Sequence, residues 1–483
     1  MNKKTFYITT TLPYVNAPLH LGHATEIIRA DAVTRYKKLM GYDVFFNTGT
    51  DEHGLKIFQA AEKAGKDIQK YVDECAVLYK DTLKQFGISE DTHYVRTTDE
   101  RHIKSAQEFW RLCDKNGYIY KKNYQTKYCV GCEEEKTDSD LVDGKCPIHS
   151  SVPELIDEEN YFFKFSAFGD RLLELYEKNP NLIIPTSRMN EMREFIKRGL
   201  RDFSISRLKS KMSWGIEVPG DSEHVMYVWF DALTNYISTL DWLGNGENFK
   251  KYWEEGTPVQ YCGKDNTRFQ GVMWQAMLMA AGVTPTHTIV VDGFILGEGG
   301  VKMSKSLGNI IDPLEIIKEY GTDALRYFIL KEFHPFEDTA VSKDQLKEWY
   351  NAGLANGIGN LTSRIMKMVE TNKINTKDLV QNNEPDNAYY RGYKIALESF
   401  DLKSAFNHVY LEIVGADRRI QSIQPFKLIK QDLLAGTNEI IALVKILADI
   451  SYMLRPLLPE TANQIDSLIK KGMAPEQALF VRK

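Results

Sequence analysis

The sequence predicts an α/β protein: a doubly wound parallel sheet, split by a cysteine-bearing insert and followed by an all-α helical bundle. Three observations carry this. Strand-like and helix-like segments alternate over residues 1–117 and again over 226–341, the pattern that builds a parallel sheet with ligand sites at its carboxyl edge. Between them, residues 118–225 are turn-rich and hold clustered cysteines. From 342 to 483 strand signals vanish and amphipathic helical stretches take over. At about 150 residues per domain, the 483 residues suit roughly three domains.

In chain order, residues 6–10 are β-rich and read as the first strand. Residues 24–40 form a helix ended by Gly41, with Ile28, Ala32, Tyr36 and Leu39 along one apolar stripe. Residues 43–48 are a second strand, followed by a helix over 54–64. The alternation breaks near Tyr118, resumes as a strand at 159–165 and a helix at 170–178, and returns with strands at 226–230, 259–261 and 288–291. A long helix is predicted over 268–281, and the C-terminal helical stretches cover 344–371, 386–414 and 437–454.

The balance of 43% hydrophobic and 26% charged residues is that of a globular protein. No apolar run approaches the roughly 18 residues of a membrane span, and the N-terminus runs straight into a strand without a signal-peptide pattern. A formal charge of −5 excludes a non-specific nucleic-acid coater, so any nucleic-acid partner must meet local basic patches. Three of the six cysteines crowd into eighteen residues, which suits a metal site in a reducing compartment better than a disulfide framework. A cytoplasmic location is expected.

Two motifs point to phosphate chemistry. His20-Leu21-Gly22-His23 follows a predicted strand and opens a predicted helix. Helix N-terminal amides attract anions there, and two imidazoles one turn apart can donate to phosphate oxygens. Gly22 lets a flat group approach the backbone. Alone, the pattern is equally a helix cap with two incidental histidines. Gly297-Glu298-Gly299-Gly300-Val301-Lys302-Met303-Ser304-Lys305-Ser306 is a glycine-rich loop with two lysines three apart, able to close over a triphosphate. Alone it is a solvated basic turn.

Together, on the two halves of a split sheet, these motifs resemble those of the class I aminoacyl-tRNA synthetases. The surrounding blocks resemble the methionyl-tRNA synthetases in particular, over essentially the whole chain: Thr11-Leu12-Pro13-Tyr14-Val15-Asn16, Asn47-Thr48-Gly49-Thr50-Asp51-Glu52-His53-Gly54, Tyr227-Val228-Trp229-Phe230-Asp231-Ala232 and Gly263-Lys264-Asp265. The resemblance implies a Rossmann-type catalytic domain (1–117 and 226–341), a connective insert (118–225) and an anticodon-binding bundle (342–483). It implies activation of methionine by Mg-ATP to methionyl-adenylate and transfer to the 3′ end of tRNA(Met). His20, His23, Lys302 and Lys305 would be catalytic. His20, His23, Gly263, Asp265, Ile295 and Lys305 would hold ATP. Thr11, Leu12, Tyr14, Asp51, Trp229, Ala232, Leu233, Tyr236, Asn266 and Gln270 would form the methionine site, with Asp51 on the substrate ammonium. A polarizable methionine side chain suits aromatic rings, although Trp229 and Tyr236 are also ordinary core candidates. Asn266 and Gln270 depart from the aliphatic residue and histidine common in the family.

Cys129-Val-Gly-Cys132 and Cys146-Pro-Ile-His149, thirteen residues apart, have the ligand types and spacing of one closed, tetrahedral structural zinc site. The family's single-knuckle members carry such a set in the insert. Between Arg188 and Lys211, eight basic residues against three acids leave +5, which reads as a solvated helix face or as a phosphate-tracking surface. By resemblance Asn356, Asn360 and Arg364 would read the anticodon, and Phe426 would stand where relatives commonly stack a tryptophan. A monomer is expected. Rival readings are a sister synthetase for leucine, isoleucine, valine or cysteine, and a non-catalytic tRNA-binding paralogue. The insert is too short for a large editing domain, and intact His20, His23, Lys302 and Lys305 weigh against the paralogue.

Overall fold

The structure is a computed structural model, and it describes residues 3–130, 134–148, 150–244, 246–301, 303, 311–380 and 383–483. Its first elements are β1 (Thr5–Thr9), α1 (Leu21–Leu39), β2 (Asp43–Thr50), α2 (Leu55–Lys63), α3 (Ile68–Gln85), β3 (His93–Arg96) and α4 (Glu100–Lys115). Then come β4 (Ile119–Cys129), β5 (Glu134–Lys136), β6 (Glu154–Phe163), α5 (Gly169–Lys178), β7 (Ile183–Ile184), α6 (Thr186–Lys197), β8 (Phe203–Ser204) and β9 (Ser206–Leu208). They are followed by β10 (Glu217–Val218), β11 (Asp221–Met226), α7 (Val228–Ala232), β12 (Pro258–Gly263) and β13 (Thr288–Asp292). The chain forms two compact units: Met1–Leu19, Asp43–Asp81 and Asp91–Val291 make the first, and His20–Tyr42, Thr82–Glu90 and Asp292–Lys483 the second.

The first unit holds a six-stranded sheet of order β3–β2–β1–β12–β13–β7. The β1–β2, β2–β3, β1–β12 and β13–β7 pairs are all parallel. Strand order reverses between β1 and β12, the place where open α/β sheets bind ligands. The interval 118–225 is not wholly outside this sheet, because its β7 adds the edge strand beside β13. The same interval forms the antiparallel sheets β5–β4–β6–β8 and β10–β11–β9. One apolar core joins its base to α4: Phe109, Phe163, Phe168, Phe230 and Trp274 are buried together, Phe109 and Trp274 stacked with centroids 5.4 Å apart. Each such ring removed from water is worth ~1.5–3 kcal/mol.

Two expectations are corrected. The strand predicted at 226–230 ends at Met226, and Val228–Ala232 is a helical turn. Its β-prone residues are overridden by tertiary contacts, Trp229 lying flat on Phe269 and Asp231 hydrogen-bonding two histidines. The stretch 386–414 is two helices, Ala388–Glu398 and Leu402–Ile423. Phe400 turns left-handed (φ 61°) between them, and Asp401 caps the second by accepting from the Ser404 amide at 2.9 Å.

In the second unit, β14 (Ile295–Leu296) pairs in parallel with β15 (Thr339–Ala340). Lys343–Trp349 continues through wide i→i+5 turns over Tyr350–Gly359 into Asn360–Thr371. Leu433–Leu454 and Pro459–Lys471 complete a bundle cored by Leu354, Ile365, Phe406, Leu443 and Ile465. Among the described residues no helix is long and apolar enough to cross a membrane.

Candidate active site

The carboxyl ends of β2, β1 and β12 place Asp51, Thr11 and Asp265 just past neighbouring strands. Asp51 is 3% exposed. Its amide donates to the Pro13 carbonyl (3.0 Å) and its carbonyl accepts from Val15 (3.3 Å), which pairs the backbones of Tyr14 and Asp51. Next to it Glu52 is clamped. Arg96 donates to both carboxylate oxygens at 2.8 Å, Thr50 donates at 2.6 Å, and the Trp214 indole donates to the Glu52 carbonyl at 2.6 Å. Such bidentate, charge-assisted bonds hold a loop rigidly. Gly49 is required here, since a Cβ would meet the Val95 carbonyl oxygen at 1.8 Å.

Aromatic side chains gather around this edge. Trp229 and Phe269 stack at 3.9 Å with planes 7° apart, and Tyr14 meets Trp229 edge-on at 6.5 Å. Among the described residues the buried Trp229 indole nitrogen has no hydrogen-bond partner, a donor whose burial costs ~1–3 kcal/mol until an acceptor arrives. Gln270 is 1% exposed and donates to Thr11 Oγ1 at 2.9 Å, while Gln260 donates to the Gln270 side-chain Oε1 at 3.3 Å. Leu12, Ala232, Leu233 and Tyr236 are buried, and Tyr236 accepts from the Tyr7 hydroxyl through its carbonyl at 2.8 Å. Asn266 is half-buried and donates to Asp265 at 3.4 Å. Gly263 ends β12 where a Cβ would come within 2.8 Å of the Asp265 carboxylate. Sequence reasoning missed Phe269, although an aromatic residue directly before Gln270 was the available signal.

The His20–His23 pair lies in the second unit at the head of α1. His20 is the N-cap, its Nδ1 accepting from the Gly22 (3.1 Å) and His23 (3.3 Å) amides, while His23 Nδ1 accepts from the His20 amide at 3.4 Å. An Nδ1 that accepts leaves the proton of its neutral ring on Nε2. The rings stack 3.7 Å apart. Burial, then the neighbouring His20, hold His23 well below the usual histidine range, so it is neutral at pH 7. Further along α1, buried Arg29 donates to Asp292 (2.9 Å) and to the carbonyls of His334 (3.1 Å) and Pro335 (3.0 Å). Burial pushes Asp292 up to about 6 against that guanidinium. Ile295 is half-buried in β14. Lys302 and Lys305 lie outside the described residues.

Of the four cysteine and histidine candidates, Cys132 and His149 also lie outside the described residues. Cys129 and Cys146 are 1% and 0% exposed, although Val142, Ile148, Val152 and Leu155 around them are all at least 59% exposed. Tyr128, beside Cys129, is buried as well, but around Cys146 the apolar side chains lie in water while the thiol is buried, which suits a ligand thiol better than a core one.

In the bundle, Asn360 is exposed and Phe426 is 45% exposed. Arg364 donates to Asp417 at 2.5 Å, and Asn356 accepts from Arg482 at 2.6 and 2.9 Å. The basic stretch 188–211 is narrower than its count. Arg207 is buried, its guanidinium 4.8 Å from the Tyr128 and Tyr227 rings, and Arg188 and Lys197 pair with Glu191 and Glu194.

The family model described as tRNA synthetases class I (M) matches residues 6–151 and 131–366. The chain belongs to the class I tRNA synthetases. It is 40% identical to the methionine–tRNA ligase of Caldanaerobacter subterraneus over 96% of this chain and 73% of that protein. It is 37% identical to that of Rickettsia typhi over 99% and 95%. The solved Mycobacterium tuberculosis methionyl-tRNA synthetase in complex with methionyl-adenylate superposes with a TM-score of 0.89 at 35% identity, covering 98% of this chain and 95% of that one. Within its class, the chain belongs to the methionine–tRNA ligase family.

Proposed function

We propose that this ligase divides its work between the strand-end site and the two phosphate-handling motifs. Methionine is activated with ATP to methionyl-adenylate, and methionine is then transferred to the 3′ end of tRNA(Met). Asp51 pairs with the substrate ammonium. Tyr14, Trp229, Ala232, Leu233 and Tyr236, with Leu12, enclose the thioether, and Thr11, Asn266 and Gln270 supply polar contacts. The single observation that carries this reading is that, at the carboxyl ends of β1, β2 and β12, the backbone of Asp51 pairs with that of Tyr14, whose ring meets the stacked Trp229–Phe269 pair. A small amino acid with a polarizable side chain matches that pairing.

In the first step the methionine carboxylate attacks the α-phosphorus in line and pyrophosphate leaves. Magnesium supplies charge neutralisation on the triphosphate. The His20 and His23 Nε2–H groups donate to phosphoryl oxygens, and Lys302 and Lys305 provide the positive charge. Gly263 and Asp265 hold the ribose, and Ile295 lines the adenine. No covalent enzyme intermediate is needed. In the second step the terminal adenosine hydroxyl attacks the carbonyl of methionyl-adenylate, the acyl–phosphate bond breaks and AMP leaves. Cys129, Cys132, Cys146 and His149 hold one structural zinc that stabilises the insert and does no chemistry. Asn356, Asn360, Arg364 and Phe426 read the anticodon. We place the enzyme in the cytoplasm as a monomer.

The test is amino-acid-dependent exchange of pyrophosphate into ATP across a panel of amino acids. Exchange with methionine alone is expected, and preference for another amino acid overturns the specificity. Undiminished exchange in Lys305→Ala removes that lysine's role. About one zinc per chain, lost to a chelator together with folded insert, is expected by metal analysis and hydrogen exchange.

A further inference from the structure

A carboxylate inside an apolar run needs a reason. Asp231 is the only formally charged residue between His224 and Asp241, and it is 0% exposed. An ion so placed survives only if its lone pairs are taken. Both oxygens are used: Oδ2 lies 2.7 Å from His53 Nδ1, and Oδ1 lies 2.7 Å from His102 Nε2. Behind His102, its Nδ1 is 2.9 Å from the Ser238 hydroxyl. Burial alone would raise the Asp231 pKa, but the His53 and His102 imidazoles outweigh it and hold the group below the usual carboxylate range, ionised at neutral pH. His102 comes from α4, and nothing in its sequence surroundings marks it.

We propose that Asp231 is a positioning residue for the amino-acid side of the reaction, holding the loop that carries Asp51 against the helical turn that carries Trp229 and Ala232. This rests on the reading that Asp51 binds the substrate ammonium. Three consecutive loop residues are each anchored by a different element. The Asp51 backbone pairs with Tyr14, the Glu52 carboxylate with Arg96, and the His53 imidazole with Asp231. The His53 amide in turn donates to Asp51 Oδ1 at 3.4 Å. An imidazole fixed by Asp231 therefore aims the amide that orients the ammonium-binding carboxylate. The His53 ring also meets the Trp214 ring, tilted, with centroids 5.4 Å apart, which limits its escape. Asp231 itself lies two residues after Trp229 and one before Ala232, so one carboxylate sets the spacing between the polar and apolar contacts of the substrate. It acts through His53 and touches no reacting atom.

The experiment measures KM for methionine and for ATP separately in pyrophosphate exchange, alongside thermal melting. Asp231→Ala removes both hydrogen bonds. The KM for methionine is expected to rise by about 10- to 100-fold, the cost of a small misplacement, while the KM for ATP stays within about twofold. His53→Ala, which leaves Asp231 with His102, is expected to give the same split and serves if Asp231→Ala does not fold. Asp231→Asn keeps both bonds if His102 changes tautomer. The Ser238 hydroxyl permits that by turning to the Asn235 carbonyl 3.5 Å away, so this variant should stay within about threefold of the parent. A purely structural role would lower melting and kcat with the KM for methionine unchanged, and that result in both alanine variants overturns the proposal. An Asp231→Asn defect as large as that of Asp231→Ala overturns it too. Asp51→Asn separates the two readings. If it raises the KM for methionine and Asp231→Ala and His53→Ala do not, positioning alone fails; if it leaves that KM unchanged, the ammonium reading falls and the positioning with it.

Discussion

The strand-end site and the bundle's candidate reading face solve opposite problems. Around Asp51, groups are buried and their partners are fixed by other elements: Glu52 by Arg96, Gln270 by Thr11, Asp231 by two histidines. On the bundle, Asn360 and Phe426 are exposed, Arg364 is held by Asp417, and Asn356 is held by Arg482. A small substrate with few atoms gains most from groups that need no rearrangement. A splayed RNA loop brings many bases and phosphates, and surface groups can exchange a protein partner for a nucleic-acid one at little cost.

That contrast predicts different losses from truncation. Trp229→Ala should produce the largest effect, removing a ring stacked on Phe269 at 3.9 Å. The kcat/KM for methionine should fall about a hundredfold, equivalent to ~2.7 kcal/mol, in exchange and in tRNA charging alike. A loss confined to charging would break the assignment of the ring group to the amino acid. Arg364→Ala should instead lower the kcat/KM for tRNA about tenfold and leave exchange untouched. Because Asp417 holds the guanidinium at 2.5 Å, Asp417→Ala should weaken charging less than Arg364→Ala does. Equal losses would mean that the pair, not the arginine, carries the effect.

The legibility of the two regions in the sequence differs for physical reasons. Strand alternation located β1, β2, β12 and β13, since backbone periodicity is local information, whereas Asp51 and Asp265 are reached only through the resemblance of their sequence blocks to the methionyl-tRNA synthetases. The turn at 228–232 was misread because Val, Trp and Phe favour strands, and what overrides them is a distant partner, Phe269. His102 was invisible for the same reason: its role depends on Asp231, 129 residues away. Arg207 was legible as a charge but not as a buried one, because its two tyrosine neighbours lie on β4 and before α7.

The comparison extends to buried acids. Asp231 is stabilised as an anion by two imidazoles, whereas Glu412 in the bundle faces another acid. Burial, with Asp449 alongside, pushes Glu412 up to about 8, opposed by the Asn387 amide, which donates to it at 3.0 Å and to Asp449 at 3.2 Å. A carboxyl whose folded pKa is raised stabilises the fold where it is protonated in both states, and that contribution is lost as pH rises from the ordinary carboxylate range through about 8. Glu412→Gln mimics the protonated form at every pH. The variant should match the parent near pH 5 and melt higher by on the order of a few degrees above pH 8, with charging activity little changed. A parent and variant whose melting midpoints run parallel from pH 5 to 9 would show that Glu412 ionises freely, as an exposed surface acid does, and would remove the distinction between the two buried carboxylates.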